Sequence, residues 1–157
     1  MTLRRTIALC AMLAATALPC AGCGAGFTIT TPAGFAELED QEQYGYRATS
    51  PQGVVIAVRR EENAPYGDLS FWSGAVDAHL RRNGYTAVKA VDVKTADGVA
   101  GKQIRYRSKR KGREHAFWVS VFVTESVVVT VEVGGDVEYF DELEKPLAKA
   151  IASLRIG

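Results

Sequence analysis

From Thr86 onward, apolar residues recur at every second position for about fifty residues, which is the period of side chains along a β-strand. Four strands are predicted, at residues 86–94, 100–108, 116–124 and 127–133. Asp97-Gly98, Gly112 and Glu125-Ser126 supply short turns between them, so consecutive strands are expected to pair antiparallel. This meander limits the chain to folds that are built on an antiparallel sheet.

The last two of these strands are apolar on both faces. Phe117 and Val119 alternate with Trp118 and Phe122, and residues 127–129 form a continuous run of valine. Strands of this kind lie in the centre of a sheet that is covered on both sides. The sequence therefore predicts helices packed over both faces of the sheet.

Two segments are predicted to supply those helices. Asp68 caps a helix that ends at Asn83-Gly84, and its apolar stripe is Leu69, Trp72, Val76 and Leu80. Residues 137–154 are predicted to be mostly helical, and a strand at 27–31 and a hairpin of strands 44–49 and 54–60 precede the first helix. The predicted fold class is α+β: a mostly antiparallel β-sheet flanked by helices in an α/β/α sandwich.

Residues 1–22 are predicted to be a secretory signal peptide. Arg4 and Arg5 precede an apolar run at residues 7–18. As a helix, that run would span roughly 18 Å, well short of a hydrocarbon core of about 30 Å. A charged start, a short apolar run and small residues before a cleavage point describe a leader that is removed, not a permanent membrane span.

Cys23 follows Cys20-Ala21-Gly22, an arrangement that resembles the lipobox of bacterial lipoproteins with Cys20 where leucine is usual. The resemblance implies that Cys23 is lipidated; cleavage without lipidation is the alternative. A redox pair of Cys20 and Cys23 is not expected, because Cys20 would leave with the leader. Residues 23–26 are then the lipidated cysteine and a short tether, in which the three residues after Cys23 reach at most about 10 Å.

Residues 27–157 are predicted to form one domain with its own hydrophobic core. All three cysteines precede this domain, so it has no disulfide and no thiol for catalysis. Of 19 basic residues, Arg4 and Arg5 leave with the leader, and the remaining 17 balance 18 acidic residues. This balance, together with export, argues against a nucleic-acid partner.

Turn and packing residues along the domain, taken in order, resemble the PsbP-like (DcrB-like) superfamily. They are Phe27-Thr28-Ile29 before Pro32-Ala33-Gly34-Phe35, Ser50-Pro51-Gln52-Gly53, Asp97-Gly98 with Gly101, Lys145-Pro146-Leu147 and Ile151-Ala152-Ser153-Leu154. The superfamily includes the extrinsic photosystem II protein, bacterial lipoproteins and a eukaryotic Ran-binding import factor. The resemblance implies an α/β/α sandwich that acts as a binding or assembly accessory, and it does not imply catalysis. No cofactor is predicted. An unrelated α+β lipoprotein domain is the alternative.

The candidate binding residues belong to one strongly basic hairpin: Arg105, Arg107, Lys109, Arg110, Lys111 and Arg113. The two arginines at 105 and 107 share a strand face, and the other four are expected to crowd the turn. This basic hairpin is predicted to contact anionic lipid head groups or to dock on an acidic partner. The alternative is a solvated tip whose charges protect the sheet from edge-to-edge pairing.

The sequence carries no metal-ligating or catalytic motif. His79 and His115 are the only histidines and are expected to be ordinary surface residues, and Ser70, Ser73 and Asp77 do not form a triad with His79.

Two further surface segments are candidate sites. The acidic loop of Glu37, Glu39, Asp40 and Glu42 lacks the spacing of a calcium loop and is predicted to be solvated. Tyr66, Phe71 and Trp72 offer a second candidate surface, although Phe71 is expected to pack under the loop at Pro65.

The predicted function is that of a non-enzymatic binding or assembly module, held in the bacterial cell envelope by a lipid and engaging an envelope protein. It faces the periplasm or the outside. Gly24 follows the cysteine where many inner-membrane lipoproteins carry Asp, which favours the outer membrane. The alternatives are a small-ligand or metal-binding domain, with or without hydrolytic activity, and a purely structural lipoprotein.

Overall fold

The computed structural model describes residues 26–39 and 43–157. Its strands are β1 (Phe27–Thr28), β2 (Ala36–Glu37), β3 (Tyr46–Thr49), β4 (Val55–Glu62), β5 (Thr86–Lys94), β6 (Ala100–Arg110), β7 (Arg113–Val123), β8 (Val127–Asp136) and β9 (Arg155–Ile156). Its helices are α1 (Leu69–Arg82), α2 (Val137–Phe140) and α3 (Glu144–Ala152), with a 3-10 turn at Asp141–Leu143.

Seven strands form one sheet in the order β2-β3-β4-β8-β7-β6-β5, and β1 and β9 form a separate two-stranded ribbon. The predicted meander is present as β5 to β8, and every neighbouring pair in the sheet is antiparallel. The earlier hairpin joins the meander where β4 pairs with β8, with Val58 opposite Val131. The predicted α+β class with a mostly antiparallel sheet is confirmed.

The sheet separates two apolar layers, as the two-sided apolar strands predicted. On the face that we call the α1 face, Leu69, Trp72 and Val76 of α1 pack against Tyr106 and Val121. On the opposite α3 face, the apolar residues of α2 and α3 pack over the centre of the sheet; this layer includes Trp118, Phe122, Val131, Phe140, Leu147 and Ile151. Helices therefore cover both faces, which confirms the sandwich.

Hydrogen bonds fix α1 at its start and to the sheet. The Asp68 carboxylate accepts a 2.7 Å hydrogen bond from the backbone N–H of Phe71, the N-cap that was predicted. The Trp72 indole donates to Asn63 Oδ1 at 2.7 Å. The Tyr106 hydroxyl donates to Asp77 Oδ1 at 3.0 Å. Burial is the main cause that raises the pKa of Tyr106, and this hydrogen bond is the second. The hydroxyl therefore keeps its proton and remains a donor.

The two ends of the sheet differ in what they carry. The β5–β6 and β7–β8 turns lie at one end of the sheet. In the β5–β6 turn, the backbone N–H of Ala96 donates a 2.8 Å hydrogen bond to the carbonyl of Leu154. β9 begins directly after Leu154 and pairs with β1, so β1 lies at this end too. The β6–β7 turn lies at the opposite end. From Gly101 to Arg110 the strand rises about 30 Å at roughly 3.3 Å per residue. We call these the β1 end and the hairpin end.

Several predicted boundaries were wrong. The first strand ends at Thr28, and β2 and β9 were not predicted. Both missed strands have only two residues, too few to show a period. The strands of the basic hairpin were predicted to end at 108 and to begin at 116, but they run to Arg110 and from Arg113.

Candidate functional site

The basic hairpin closes on a two-residue turn. Arg110 pairs with Arg113, which leaves only Lys111 and Gly112 between the strands. Their φ angles are 51° and 80°, and positive φ at both central residues defines the type I′ turn that suits the twist of a hairpin. The expectation that four basic residues crowd the turn is therefore wrong: Lys109, Arg110 and Arg113 lie on strands, whose alternation sends them to opposite faces.

Arg105 and Arg107 lie on the α3 face and are held by other parts of the domain. The Arg105 guanidinium stacks 3.9 Å from the centre of the Trp118 ring, and its Nη1 lies 2.7 Å from Glu144 Oε1. Arg107 Nη2 lies 3.7 Å from Asp141 Oδ1. These contacts join β6 to the segment that carries α2 and α3, so both arginines have a role within the fold.

Arg110 and Arg113 lie on the α1 face and line an open concavity of about 510 Å³ at the hairpin end, which we call the basic cleft. Tyr85 and Phe117 contribute aromatic surface to it. Because Gly134 has no side chain, the Phe117 ring lies bare at that point; a Cβ on Gly134 would lie 3.0 Å from it. The remaining lining residues are Gln52, Gly53, Ser108, His115, Gly135, Asp136 and Tyr139.

The cleft holds one carboxylate among its cations. Asp136 Oδ2 lies 2.7 Å from Arg113 Nη1, and Asp136 Oδ1 lies 2.9 Å from His115 Nε2. Arg110 donates to the Tyr85 hydroxyl. Among the described residues, no carboxylate pairs with Arg110, Lys109 or Lys111. The cleft and the adjoining tip therefore carry an excess of positive charge.

The cleft also holds a polar group that is free to bond. Ser108 Oγ is buried and has no hydrogen-bond partner within residues 26–39 and 43–157. A buried hydroxyl without a partner costs about 1–3 kcal/mol, which a bound acceptor would offset. His115, predicted to be an ordinary surface residue, is half-buried and lies opposite Asp136 in the β7–β8 register. Sequence reasoning missed this pairing, since it depends on the register of two strands.

The other sequence candidates lie elsewhere. Cys23 and the predicted leader fall outside the described residues, as do Asp40 and Glu42 of the acidic loop. Phe71 packs edge-on against Trp72 and lies beside Gly67, but the residue remains 53% exposed. His79 is exposed on α1.

Two features are absent from the described part of the chain. It contains no cluster of three side chains that would ligate a metal. None of its helices is both long and apolar enough to cross a bilayer.

No protein-family model matches the sequence, and no curated protein does. Solved structures do match. LpqN of Mycobacterium tuberculosis, which is involved in cell envelope biogenesis, is 10% identical with a TM-score of 0.69, over 83% of this chain and 82% of that one. Cyanobacterial PsbP from Synechocystis sp. PCC 6803 is 12% identical with a TM-score of 0.58, over 84% and 87%. A Pseudomonas aeruginosa protein of unknown function, PA94, is 14% identical with a TM-score of 0.57, over 89% of both chains. The predicted PsbP-like fold is confirmed.

Proposed function

We propose that this protein is a lipid-anchored accessory module of the bacterial cell envelope that binds an acidic protein partner through the basic cleft, without catalysis. The observation that carries the proposal is the convergence of Arg110 and Arg113 with aromatic surface in one open cleft. Arginine and aromatic side chains are the residues enriched at protein interfaces. LpqN, a protein of the same fold, takes part in envelope biogenesis, which supports an envelope role.

The position of the cleft favours a protein partner over lipid head groups. If Cys23 carries the lipid, the tether enters the domain at Phe27, at the β1 end. Lys111 and Gly112 lie at the other end of β6, about 30 Å along the strand in an upright domain. Electrostatic attraction is screened within about 10 Å at 0.1 M salt. The basic cleft is therefore presented away from the bilayer, where an acidic protein has access to it.

The exposure of the cations favours a macromolecule over a small ligand. The Arg113 side chain is 70% exposed even though it is paired with Asp136. A small-molecule site commonly buries most of its ligand, and a protein surface needs only an open patch of complementary charge. The second candidate, a small anionic ligand, is favoured by the unpartnered hydroxyl of Ser108.

The test compares two triple charge reversals in the unlipidated Cys23→Ser chain. Lys109→Glu, Arg110→Glu and Lys111→Glu reverse the hairpin tip. The matched control reverses the exposed lysines Lys89, Lys94 and Lys145, for the same change in net charge. A fluorescent polyglutamate peptide and vesicles with anionic lipid are the two probes.

Loss of peptide binding in the tip variant alone supports the proposal. Equal loss in both variants, or no peptide binding by the parent chain, refutes it. Binding of vesicles but not of the peptide assigns the hairpin to lipid head groups instead.

A further inference from the structure

A second concavity, of about 480 Å³, runs beside α1 on the same face of the sheet, and we call it the α1 groove. It exists because one helix is too narrow for the sheet. Seven strands spaced about 4.8 Å apart span about 29 Å, and a helix is about 10 Å wide. α1 packs mainly on β5, β6 and β7 and shares an apolar cluster with Val128 of β8. The groove lies over β4 and the rest of β8, where Arg59, Thr130 and Glu132 line it.

The two walls of the α1 groove differ in chemistry. α1 supplies a largely apolar wall with Trp72, Val76 and Leu80, together with His79 at its exposed side. The opposite wall carries Arg59 and Glu132. Arg59 Nη2 lies 3.6 Å from Glu132 Oε1. Arg59 Nε is buried and has no hydrogen-bond partner in the described part of the chain. An occupant must therefore be apolar on one side and offer hydrogen-bond acceptors on the other.

The α1 groove continues into the basic cleft. Tyr85 and Phe117 line both concavities. Glu61 lies at the opposite end of the groove, near Val128, with which it pairs in the β4–β8 register. The two ends of the groove thus differ in charge: Glu61 lies at the β1 end and the basic cleft at the hairpin end, with Arg59 and then Glu132 between them. This polarity would set the direction of an elongated, charged occupant.

We infer that the α1 groove binds an amphipathic helical segment of the partner protein, with the acidic end of that segment seated in the basic cleft; this inference rests on the proposed function. The apolar stripe of the segment packs on Trp72, Val76 and Leu80, as in other helix-in-groove complexes. Its polar edge meets Arg59. The part of α1 that lines the groove runs from Trp72 to Leu80 and measures about 12 Å at 1.5 Å per residue, so about two turns of partner helix lie along it.

The charged wall argues against an acyl chain as the occupant. A hydrocarbon in the groove would take water from Arg59 and Glu132 and give no hydrogen bond in return, and such desolvation is unfavourable. A helix turns only its apolar side toward α1 and keeps polar side chains on the opposite wall. The groove therefore favours a peptide over a lipid.

The test uses photo-crosslinking of the full-length chain in intact cells, with two alanines of α1 as a matched pair. Ala75 lines the groove, and Ala78 is exposed on the same helix outside it. The crosslinker p-benzoyl-phenylalanine is placed at Ala75, at Ala78 or at Lys111 of the hairpin turn, and mass spectrometry identifies the linked segment. We expect crosslinking to a polypeptide from Ala75 to exceed that from Ala78 by about tenfold, because a helix seated in the groove contacts Ala75 and not Ala78.

Support requires three results together: the linked segment has a helical apolar period, it carries acidic residues at one end, and Arg110→Glu abolishes the link. Equal crosslinking from Ala75 and Ala78 overturns the inference, as does a linked segment without that pattern. A link from Ala75 to lipid alone also overturns it. A link from Lys111 but not from Ala75 removes the inference and leaves the proposed function standing. No link from any of the three positions refutes both.

Discussion

Asp136→Asn is expected to strengthen the binding of an acidic partner, although it removes an ion pair. Asp136 is the one carboxylate among the described residues that line the basic cleft, and it neutralises Arg113 at 2.7 Å and contacts His115 at 2.9 Å. Asparagine keeps the size and an acceptor oxygen but not the charge. The substitution therefore leaves Arg113 in place and frees it for an incoming carboxylate.

The expected gain follows from Coulomb repulsion. A partner carboxylate seated on Arg113 would lie about 5 Å from Asp136, where two like charges repel by about 0.8 kcal/mol in water and by about 3 kcal/mol at an effective dielectric constant of about 20. Because the Arg113 side chain is 70% exposed, the lower value applies. The dissociation constant should therefore fall about fourfold, since 1.4 kcal/mol is tenfold.

Fluorescence anisotropy of a labelled polyglutamate peptide, titrated with the Cys23→Ser chain, measures this change. Asp92→Asn is the control, because Asp92 pairs with Lys102 at 3.1 Å on β5, away from the cleft, and its loss changes the net charge equally. The gain for Asp136→Asn should shrink as salt is added. The cleft is not where the acidic probe binds if Asp136→Asn binds the peptide no more tightly than the parent chain does. The same conclusion follows if Asp92→Asn binds it as tightly as Asp136→Asn.

Three further predictions concern the anchor and the stability of the domain. Cys23→Ser should move the protein from the membrane pellet to the soluble fraction, and persistence in the pellet would contradict lipid anchoring. Gly101→Ala should destabilise the domain by about 1–3 kcal/mol in urea unfolding, since its Cβ would lie 2.4 Å from Phe122 Cδ1; Gly74→Ala, which meets nothing within 4 Å, should not. Burial raises the pKa of Glu132, an effect that Arg59 opposes. Just above the ordinary glutamate pKa, the folded state therefore binds more protons than the unfolded state. The free energy of unfolding should then fall as pH rises through that interval. Glu132→Gln should remove that decline, which begins above the ordinary glutamate pKa of about 4.3. An unchanged profile of urea midpoint against pH would show that Glu132 does not cause it.

Sequence reasoning predicted well those elements in which a strand or helix period persists over many residues. The meander was readable because alternation persists through β6, β7 and β8, and α1 because Leu69, Trp72, Val76 and Leu80 recur on one face. β9 escaped because two residues show no period, and its pairing of Ile156 with Phe27 joins the two termini of the domain. Local patterns cannot report a contact between segments so distant in sequence.

The candidate site was predicted as a set of residues but not as a surface. All six basic residues of the hairpin were recognised, but their division between the faces depends on how far the strands extend. Because the turn is at Lys111 and Gly112, the side chains alternate between the two faces along β6 up to Arg110. Arg105 therefore contacts Trp118 on one face, and Arg110 contacts Tyr85 on the other. The signal that marks the position of this turn in the sequence is Lys111-Gly112, a pair that tolerates positive φ at a type I′ turn.

If Cys23 carries the lipid, the direction in which the basic cleft faces depends on β1, a strand of only two residues. In a meander, successive turns alternate between the ends of the sheet, so the β6–β7 turn must lie opposite the β5–β6 and β7–β8 turns. Whether the cleft faces away from the membrane is decided by where β1 docks, and β1 is held by a two-residue ribbon with β9 and by the buried ring of Phe27. If the ribbon opened, the chain from Cys23 to β2 at Ala36 would reach about 40 Å at roughly 3.3 Å per residue. The domain would then be free to turn the basic hairpin toward the lipid. If Cys23 carries the lipid, the short tether therefore keeps the cleft away from the bilayer only while β1 and β9 stay paired.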